Sequence, residues 1–329
     1  MIRPTDSAGE IELAAESLAQ NSKSFWLATL FLPKAVASDA AVLYRFCRMV
    51  DDIADEAQCP ADAKRELTRI QNSCETGESD SVVVRGFLRI AERRNIPVQT
   101  AISLVDGVLS DLDTVRLRTE NELLRYAYRV AGVVGHMMCG VLRVHDKHAI
   151  AYAVDLGLAM QLTNICRDVK EDAALGRVYV PADLLRKYAV TSEQFLALDV
   201  SPDVMRCIIN ELLDLADKLY ARALHGMHYI PFRSRIGILI ARRVYRAIGH
   251  KLRTSHGSDP RHGRTVVGPL TKVMQIASSV FDLLRPATLG WWRAGSDASG
   301  SSVSWEDLDR PHRFDERPRM PLTLEGGQS

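Results

Sequence analysis

The chain has 329 residues, of which 47% are hydrophobic and 25% charged, and its formal net charge is +1. This length suits one large helical domain or two small ones. A nearly neutral balance excludes a strongly basic nucleic-acid-binding domain, so we expect no nucleic-acid partner. Aromatic residues make up only 6% of the chain. Ala, Leu, Arg and Glu fill most of its long segments, which favours helix over strand.

The first residues have no apolar core of signal-peptide length and carry acidic side chains early. No uninterrupted apolar run approaches the roughly 18 residues that a membrane span needs. We expect a cytoplasmic protein, with a peripheral contact to the inner face of a membrane left open. Its cysteines form no CxxC pair and are expected to be reduced and mostly buried. They are Cys47, Cys59, Cys74, Cys139, Cys166 and Cys207.

Helical periodicity recurs from about residue 10 to 290, between short breaks marked by Pro and Gly. The predicted helices are 10–21, 35–57, 60–74, 81–94, 98–112, 120–143, 147–173, 181–187, 202–226, 233–254 and 266–283. From about Arg293 the chain is rich in Gly, Ser and Pro and has no period. The sequence therefore predicts one all-α domain over residues 1–292 and a disordered tail over residues 293–329.

The segment AVLYRFCRMVDDIADE, residues 41–56, predicts a helix with a polar stripe. Asp51 and Asp55 lie four residues apart, so both carboxylates project from one face. Arg48 and Tyr44 continue this face toward the N-terminus, and the opposite surface is apolar. A single pair of this kind usually marks a solvated surface, but here the apolar arc is wide and the stripe carries basic and hydrogen-bonding groups.

A second polar stripe lies in DLGLAMQLTNICRDVKEDAALGRVYVP, residues 155–181, and Arg167 adjoins it. Its members share one helical face at spacings of three and four, and they are Gln161, Asn164, Asp168 and Asp172. Two such helices facing each other would place four aspartates around a cavity. That arrangement suits Mg²⁺, which commonly bridges one or two carboxylates to substrate phosphates. Arg48 and Arg167 match phosphate geometry, and the chain has no Walker A or GxGxxG motif.

Between these stripes, residues 125–142 contain three glycines, Gly132, Gly135 and Gly140. Each is unfavourable in a helix by roughly 1 kcal/mol relative to Ala. Two explanations stay open, namely tight helix packing and a smooth channel for a hydrocarbon chain. The pairs His145/His148 and His225/His228 have a spacing that can bind zinc. No nearby Cys or acid completes a ligand set, so we interpret them as surface histidines.

At these positions the sequence resembles the squalene/phytoene synthase family of head-to-head prenyl synthases. The motifs that match are SKSF (22–25), YRFCRMVDDIAD (44–55), YAYRVAGVVG (126–135), QLTNICRDVKEDAALGRVYVP (161–181) and, more weakly, ARRVYRAIG (241–249). They stand in the family's order over about residues 15–285. The resemblance implies a single-domain all-α bundle of the isoprenoid synthase type, with a central cavity between two acidic motifs.

The resemblance also assigns roles to individual residues. The metal ligands that it implies are Asp51, Asp55, Asn164, Asp168 and Asp172. Tyr44 and Tyr126 would line the reaction cavity and act with the four aspartates in catalysis. The substrate-binding residues that it implies are Ser22, Ser24, Arg48, Gln161, Asn164, Arg167, Tyr245 and Arg264.

By resemblance, the activity is that of a Mg²⁺-dependent prenyltransferase of carotenoid biosynthesis, with Mn²⁺ as a substitute ion and no use of NADPH. The second acidic motif is most similar to the bacterial carotenoid branch. It implies head-to-head condensation of two geranylgeranyl diphosphates to phytoene through a cyclopropylcarbinyl diphosphate. Dehydrosqualene, presqualene diphosphate and squalene, all made from farnesyl diphosphate, are the alternative products. A catalytically silent protein that binds prenyl diphosphates or a partner, and a helical scaffold with acidic surface helices, are the non-enzymatic alternatives. A contact with a downstream desaturase and the oligomeric state stay undetermined.

Overall fold

A computed structural model describes residues 23–255, 259–262, 265–283 and 288. Within these ranges the chain is helical, with loops and one isolated bridge between Arg116 and Val178. The α-helices of the first half are α1 Lys23–Thr29, α2 Lys34–Asp55, α3 Pro60–Thr76, α4 Val82–Arg94, α5 Val98–Leu109, α6 Glu120–Ala127 and α7 Val133–Val141. Those of the second half are α8 Lys147–Arg167, α9 Val169–Ala174, α10 Ala182–Lys187, α11 Ser192–Leu196, α12 Pro202–Ala223, α13 Phe232–Ser255 and α14 Pro269–Leu283.

Shorter turns connect several of these helices. A π-turn, Tyr128–Gly132, joins α6 to α7 without a break in the helix. The 3₁₀ turns are Ser110–Leu112 after α5, Leu224–Tyr229 after α12, and Pro260–His262. The all-α bundle that the sequence predicts is therefore confirmed for the described residues.

The helix boundaries follow local chemistry that the sequence displays. The side chains of Ser81, Asp146 and Ser201 accept hydrogen bonds from backbone N–H groups in the first turns of α4, α8 and α12, which satisfies donors that a helix start leaves unpaired. Pro60 occupies the first turn of α3, where its missing N–H is not needed. Gly77 ends that helix in the left-handed conformation, with φ at 76°, as a C-terminal glycine commonly does.

The predicted helices that lie in the described residues are all present, with two internal differences. The segment predicted as one helix over 147–173 is interrupted at Asp168, and the helix predicted over 120–143 contains the π-turn. The short helices α1 and α11 were not predicted. The helix predicted over 10–21 and the tail over 293–329 lie outside the described residues.

The central element is α8, which packs against α7, the π-turn, α12 and α13. By length and composition, α8 is the one described helix that could cross a membrane, with a hydropathy of 1.3, but 56% of that window is buried inside the bundle. Its apolar character is therefore that of a core helix. All six cysteines are free thiols; Cys74, Cys139 and Cys166 are buried, Cys47 is half-buried, and Cys59 and Cys207 are exposed.

Candidate functional site: a polar cavity joined to an apolar cavity

An apolar cavity runs along the inner surface of α8, between α2, α7, the turn Leu224–Tyr229 and α13. Its empty volume is about 1390 Å³, part of it open to solvent. Most of its walls come from aliphatic, glycine and methionine residues. Its polar or aromatic lining residues are Tyr44, Cys47, Asp51, Cys139, Tyr152, Gln161, Asn164 and Tyr245. This cavity suits a hydrocarbon chain.

A second, polar cavity of about 830 Å³ lies beside the first. Its charged and hydrogen-bonding lining residues are Arg48, Asp51, Asp55, Asp111, Tyr126, Gln161, Asn164, Asp168, Asp172, Arg177 and Tyr179. Four residues, Asp51, Val130, Gln161 and Asn164, line both cavities. The two cavities therefore meet at these four side chains, and a ligand with a charged head and an apolar tail could occupy both.

The four aspartates that the sequence singled out all line the polar cavity. Asp51 and Asp55 project from the last turns of α2, as their spacing predicts. Asp168 is the junction residue between α8 and α9, and its backbone N–H donates to the carbonyl of Asn164 at 2.8 Å. Asp172 follows in α9. The break at Asp168 changes the predicted single helix, but both carboxylates still reach the same cavity.

The acids in this cavity are crowded, and their ionisation is disfavoured. Burial, followed by the neighbouring charge of Asp55, raises the pKa of Asp51 to about 7. Burial and the charge of Asp168 raise the pKa of Asp172 to about 8, although Arg177 acts in the opposite direction. A cation placed among these carboxylates would relieve their mutual repulsion.

Three side chains of the polar cavity were not assigned a role from the sequence, and Asp111 is the first of them. It lies in the 3₁₀ turn after α5, and it accepts hydrogen bonds from the hydroxyl of Tyr179 at 2.8 Å and that of Tyr126 at 3.0 Å. The two tyrosine rings are stacked, with centroids 4.7 Å apart. Burial raises the pKa of Asp111 to about 6, and the two hydroxyl donors partly offset that effect.

Arg177 is the other basic group of the cavity that the sequence did not single out. Its Nη1 donates to Asp55 Oδ1 at 2.8 Å. Burial alone would lower the pKa of Arg177, but the hydrogen bond to Asp55 and the nearby Tyr179 and Asp111 raise it. Arg177 and Tyr179 belong to the GRVYVP end of the second acidic motif, and their place in that motif is the sequence feature that could have identified both. Asp111 gave no such signal because it stands outside any helical stripe.

The two predicted phosphate-binding arginines occupy different positions. Arg48 lines the polar cavity and forms an ion pair with Asp52 at 2.5 Å, while its side chain is still 40% exposed. The guanidinium of Arg167 binds both carboxylate oxygens of Asp168, with Nε to Oδ1 at 2.7 Å. Arg167 is not among the residues that line either cavity. Arg48 is therefore the better placed of the two to receive a diphosphate directly.

Most of the other predicted site residues also face the cavities. Tyr44 and Tyr245 line the apolar cavity, and Tyr126 lines the polar one. Burial raises the pKa of Tyr44 to about 12, which keeps its hydroxyl protonated at neutral pH. Gln161 Oε1 accepts a hydrogen bond from Asn164 Nδ2 at 3.3 Å. Ser22 and Arg264 lie outside the described residues, as does the side chain of Ser24.

The oxygen-rich composition of the polar cavity fits a hard cation such as Mg²⁺. Among the described residues, no three His, Cys, Asp or Glu side chains form a cluster that could hold a metal ion. Mg²⁺ does not require one, because it usually binds through one or two carboxylates together with waters and substrate phosphates. Asn164 Oδ1, on the wall shared by the two cavities, is buried without a hydrogen-bond partner, and it is an oxygen donor of the appropriate type.

The glycines of the helix over 120–141 serve close packing, and one of them also lines the apolar cavity. A Cβ on Gly135 would lie 2.3 Å from the carbonyl oxygen of Ala153 on α8, and a Cβ on Gly140 would lie 2.5 Å from Ile96 Cγ1. Gly135 is a lining residue of the apolar cavity as well. Both explanations offered for these glycines, helix packing and a smooth channel, therefore apply at Gly135.

Comparisons with known proteins agree with this arrangement. The sequence profile described as squalene/phytoene synthase matches residues 18–271. The phytoene synthase of Rhodobacter capsulatus is 34% identical over 279 residues, which is 82% of this chain and 80% of that protein. The 15-cis-phytoene synthase of a Paracoccus species is 33% identical over 311 residues, or 91% of this chain and 97% of that protein.

The similarity extends to solved structures. The crystal structure of a dehydrosqualene synthase in complex with a ligand has a TM-score of 0.76 and is 25% identical, covering 85% of this chain and 98% of the other. A squalene synthase from Alicyclobacillus acidocaldarius has a TM-score of 0.68 at 24% identity, covering 78% of this chain and 98% of the other. The second of these likenesses concerns the fold alone.

Proposed function

The chain belongs to the squalene/phytoene synthase family, and we propose that it is a Mg²⁺-dependent prenyltransferase that joins two geranylgeranyl diphosphates head to head to form phytoene. The observation that carries this proposal is the junction of the polar and apolar cavities at Asp51, Gln161 and Asn164. A prenyl diphosphate has a charged head and an apolar tail, and this junction separates the two environments within one site.

The depth of the apolar cavity supports a C20 substrate. The cavity is lined by α8 at every turn from Asn164 to Ala149. The 15 steps from Ala149 to Asn164 (164 − 149) correspond to about 22 Å at the helical rise of 1.5 Å per residue. An extended geranylgeranyl chain is about 19 Å long and a farnesyl chain about 14 Å, given carbon–carbon bonds of about 1.5 Å. The longer chain would bury more apolar surface in the same cavity.

The polar cavity would bind the diphosphate groups. Asp51, Asp55, Asp168 and Asp172, with Asn164, would hold the metal, and Arg48 would bind phosphate oxygens through its guanidinium. Bound Mg²⁺, or Mn²⁺ in its place, would supply Lewis-acid stabilisation of the negative charge that develops on the departing diphosphate. Arg177 holds Asp55 in position on one side of the cavity, and Arg167 does the same for Asp168.

The apolar cavity would protect the reacting carbon atoms. Loss of one diphosphate leaves an allylic cation, which the double bond of the second substrate captures; loss of a proton then closes a cyclopropane ring. A second loss of diphosphate, rearrangement and a further proton loss give phytoene. No hydride enters this sequence, so the proposal includes no NADPH. The aliphatic walls exclude water, which would otherwise capture the cations. Tyr44 and Tyr245 border this space.

The proposal includes a cytoplasmic location with a peripheral contact to the inner face of a membrane. α14 supports such a contact because its outward face is apolar. Val273, Met274 and Phe281 are exposed there, whereas Asp282 is buried and paired with Arg243 Nε at 2.5 Å. Cosedimentation with lipid vesicles should therefore decrease in Phe281→Ser; equal binding of this variant and the unmodified protein would exclude α14 as the contact.

Product analysis tests the proposed reaction. The purified protein is incubated with C20 or C15 diphosphate, with and without Mg²⁺ and NADPH, and extracts are identified by mass. We expect phytoene from the C20 substrate, loss of product with a chelator and no effect of NADPH. Accumulation of presqualene diphosphate, or squalene formed only with NADPH, would overturn the assignment. If no product forms but a C20 diphosphate analogue raises the melting temperature with Mg²⁺, the silent binding protein is the correct alternative.

A further inference from the structure

One helix that contributes lining residues to both cavities contains an unusual turn. Residues 120–141 form one continuous helix, in which Tyr128–Gly132 adopt the π conformation. The N–H of Val133 donates to the carbonyl of Tyr128, five residues earlier, instead of four residues earlier as in an α-helix. Such a turn accommodates about one extra residue, and π-turns are frequent at functional sites.

The extra residue changes which side chains share a face. Five of the residues from this segment that line a cavity recur at intervals of four, namely Tyr126, Val130, Val134, Met138 and Leu142; the others, Ala131, Gly135 and Cys139, each follow directly after one of these five. In an uninterrupted α-helix, at about 100° per residue, Leu142 would be rotated by about 160° from Tyr126. One extra residue in a turn removes about 100° of this rotation, leaving about 60°. The π-turn thus keeps these side chains on one side of the helix from Tyr126, in the polar cavity, to Leu142, in the apolar one.

Two neighbouring helices have a glycine where they contact the π-turn. A Cβ on Gly157 of α8 would lie 2.4 Å from the carbonyl oxygen of Ala131, and a Cβ on Gly107 of α5 would lie 2.8 Å from Val130 Cγ1. A methyl group at either position would therefore force the π-turn to move. Two separate helices carry glycine where this turn approaches them, so the surrounding packing requires the turn in its present position.

We propose that the π-turn Tyr128–Gly132 is a positioning element of the site. It holds the Tyr126 hydroxyl against Asp111 in the polar cavity, while Val134 and Met138 remain on the wall of the apolar cavity. Its consequence for catalysis rests on the proposed function, but its geometric role does not.

Deletion of Arg129 provides the main test. This half-buried residue lies within the turn, and removing it should restore an ordinary α-helix and rotate Tyr126 by about 100° relative to Val134. In the intact chain, Tyr126→Phe should lower the melting temperature, because Asp111 loses a hydrogen-bond donor. In the deletion background the same substitution should have no effect, since the contact is already lost. An equal decrease in both backgrounds would overturn the proposal.

A milder variant keeps the proposal testable if the deletion does not fold. The methyl group added by Gly107→Ala on α5 would clash with the π-turn, and Gly107 lines neither cavity. We expect at least a tenfold loss of kcat, little change in KM, and a smaller effect of Tyr126→Phe on melting. Gly86→Ala is the matched control, because its Cβ would meet only Val42 Cγ1 at an ordinary 3.5 Å. If Gly107→Ala and Gly86→Ala behave alike, the turn does not position the site.

The melting measurements separate this proposal from the proposed function. If the unmodified chain makes no phytoene but the effect of Tyr126→Phe still disappears on deletion of Arg129, the reaction is wrong and the positioning role stands. If phytoene forms normally in the deletion variant and Tyr126→Phe still lowers its melting temperature, the reaction stands and the positioning role is wrong.

Discussion

At the scale of single residues, the polar cavity combines acids that disfavour one another's ionisation. Asp51 and Asp172 have pKa values raised to about 7 and about 8 by burial and by neighbouring carboxylates. A folded protein retains such an arrangement only at a cost in stability, so these positions are better suited to binding a cation than to supporting the fold. Function and stability should therefore respond in opposite directions when either carboxylate is neutralised.

Asp51→Asn and Asp172→Asn test this opposition. Without bound ligand, each variant should melt at the same or a higher temperature than the unmodified chain, because a neutral amide removes the repulsion. Turnover of C20 diphosphate should fall by orders of magnitude, since an amide is a poorer Mg²⁺ ligand. Asp55→Asn and Asp168→Asn should lose turnover as well. Asp80→Asn, at an exposed position, is the control and should change neither property. Normal turnover in two or more of the four site variants would contradict the metal site.

The arginines allow a second test at this scale. Arg48→Lys should weaken diphosphate binding more than Arg167→Lys, because Arg48 lines the polar cavity and Arg167 instead binds Asp168. Lysine keeps the charge but loses the planar pair of donors that matches phosphate. KM and the melting shift produced by a C20 diphosphate analogue measure the difference. Unchanged values in Arg48→Lys would show that its pairing with Asp52 is its whole role.

At the scale of secondary-structure elements, helical periodicity predicted the long helices because each has a wide apolar face and a clear boundary residue. The five-residue α11 has too few turns to establish a period. The π-turn could not be predicted, since YAYRVAG continues the helical pattern; the extra residue is revealed by the hydrogen bond from Val133 N–H to the Tyr128 carbonyl and by the packing of Gly107 and Gly157.

The residues of the polar cavity likewise include some that the sequence could predict and some that it could not. The four aspartates could be predicted from the sequence because the two members of each pair lie four residues apart, which is helical spacing. They are Asp51, Asp55, Asp168 and Asp172, and all four line the polar cavity in the structure. Asp111 was not predictable, because its position depends on contacts with Tyr126 and Tyr179, which are distant along the chain. Sequence patterns identify residues that share an element, whereas long-range hydrogen bonds are determined only by the packing of elements.

The contact between α8 and α12 leads to a pH-dependent prediction. Asp155 of α8 lies 3.2 Å from Arg222 of α12, and burial raises its pKa to about 7 even though Arg222 acts in the opposite direction. An unfolded Asp has a pKa of about 3.9. The folded chain therefore holds this proton more tightly than the unfolded chain, and the group's contribution to the unfolding free energy decreases as the pH rises from about 4 to 7.

Asp155→Asn should remove this dependence. The melting temperature of the variant, relative to the unmodified chain, should increase between pH 5 and pH 7.5 and then become constant, with an upper limit of about 4 kcal/mol in unfolding free energy. Asp217→Asn is the matched control on α12, because Asp217 forms an exposed ion pair with Arg246. A constant difference across this pH range would show that Asp155 is ionised in the folded protein throughout.

At the scale of the whole molecule, the proposed function makes the length of the apolar cavity the limit on the substrate tail. The junction with the polar cavity lies near the C-terminal end of α8, at Gln161 and Asn164, and the far end of the apolar cavity lies near its N-terminus, at Ala149. In the proposed function, the reacting end of a substrate would therefore lie at one end of the bundle, and its tail would extend toward the other. We therefore expect the length of the substrate tail to be selected far from the carboxylates.

Ala149→Met tests this separation. Ala149 is buried and lines the far end of the apolar cavity, so a longer side chain there should shorten the space for the tail by a few ångströms. Turnover of C20 diphosphate should fall, turnover of C15 diphosphate should be retained, and the ratio of the two kcat/KM values should shift at least tenfold toward C15. Ala159→Met is the matched control: Ala159 is equally buried on α8 but lines neither cavity. It should lower stability through overpacking and leave the ratio unchanged. An unchanged ratio in Ala149→Met as well would show that the tail does not reach this end of the bundle.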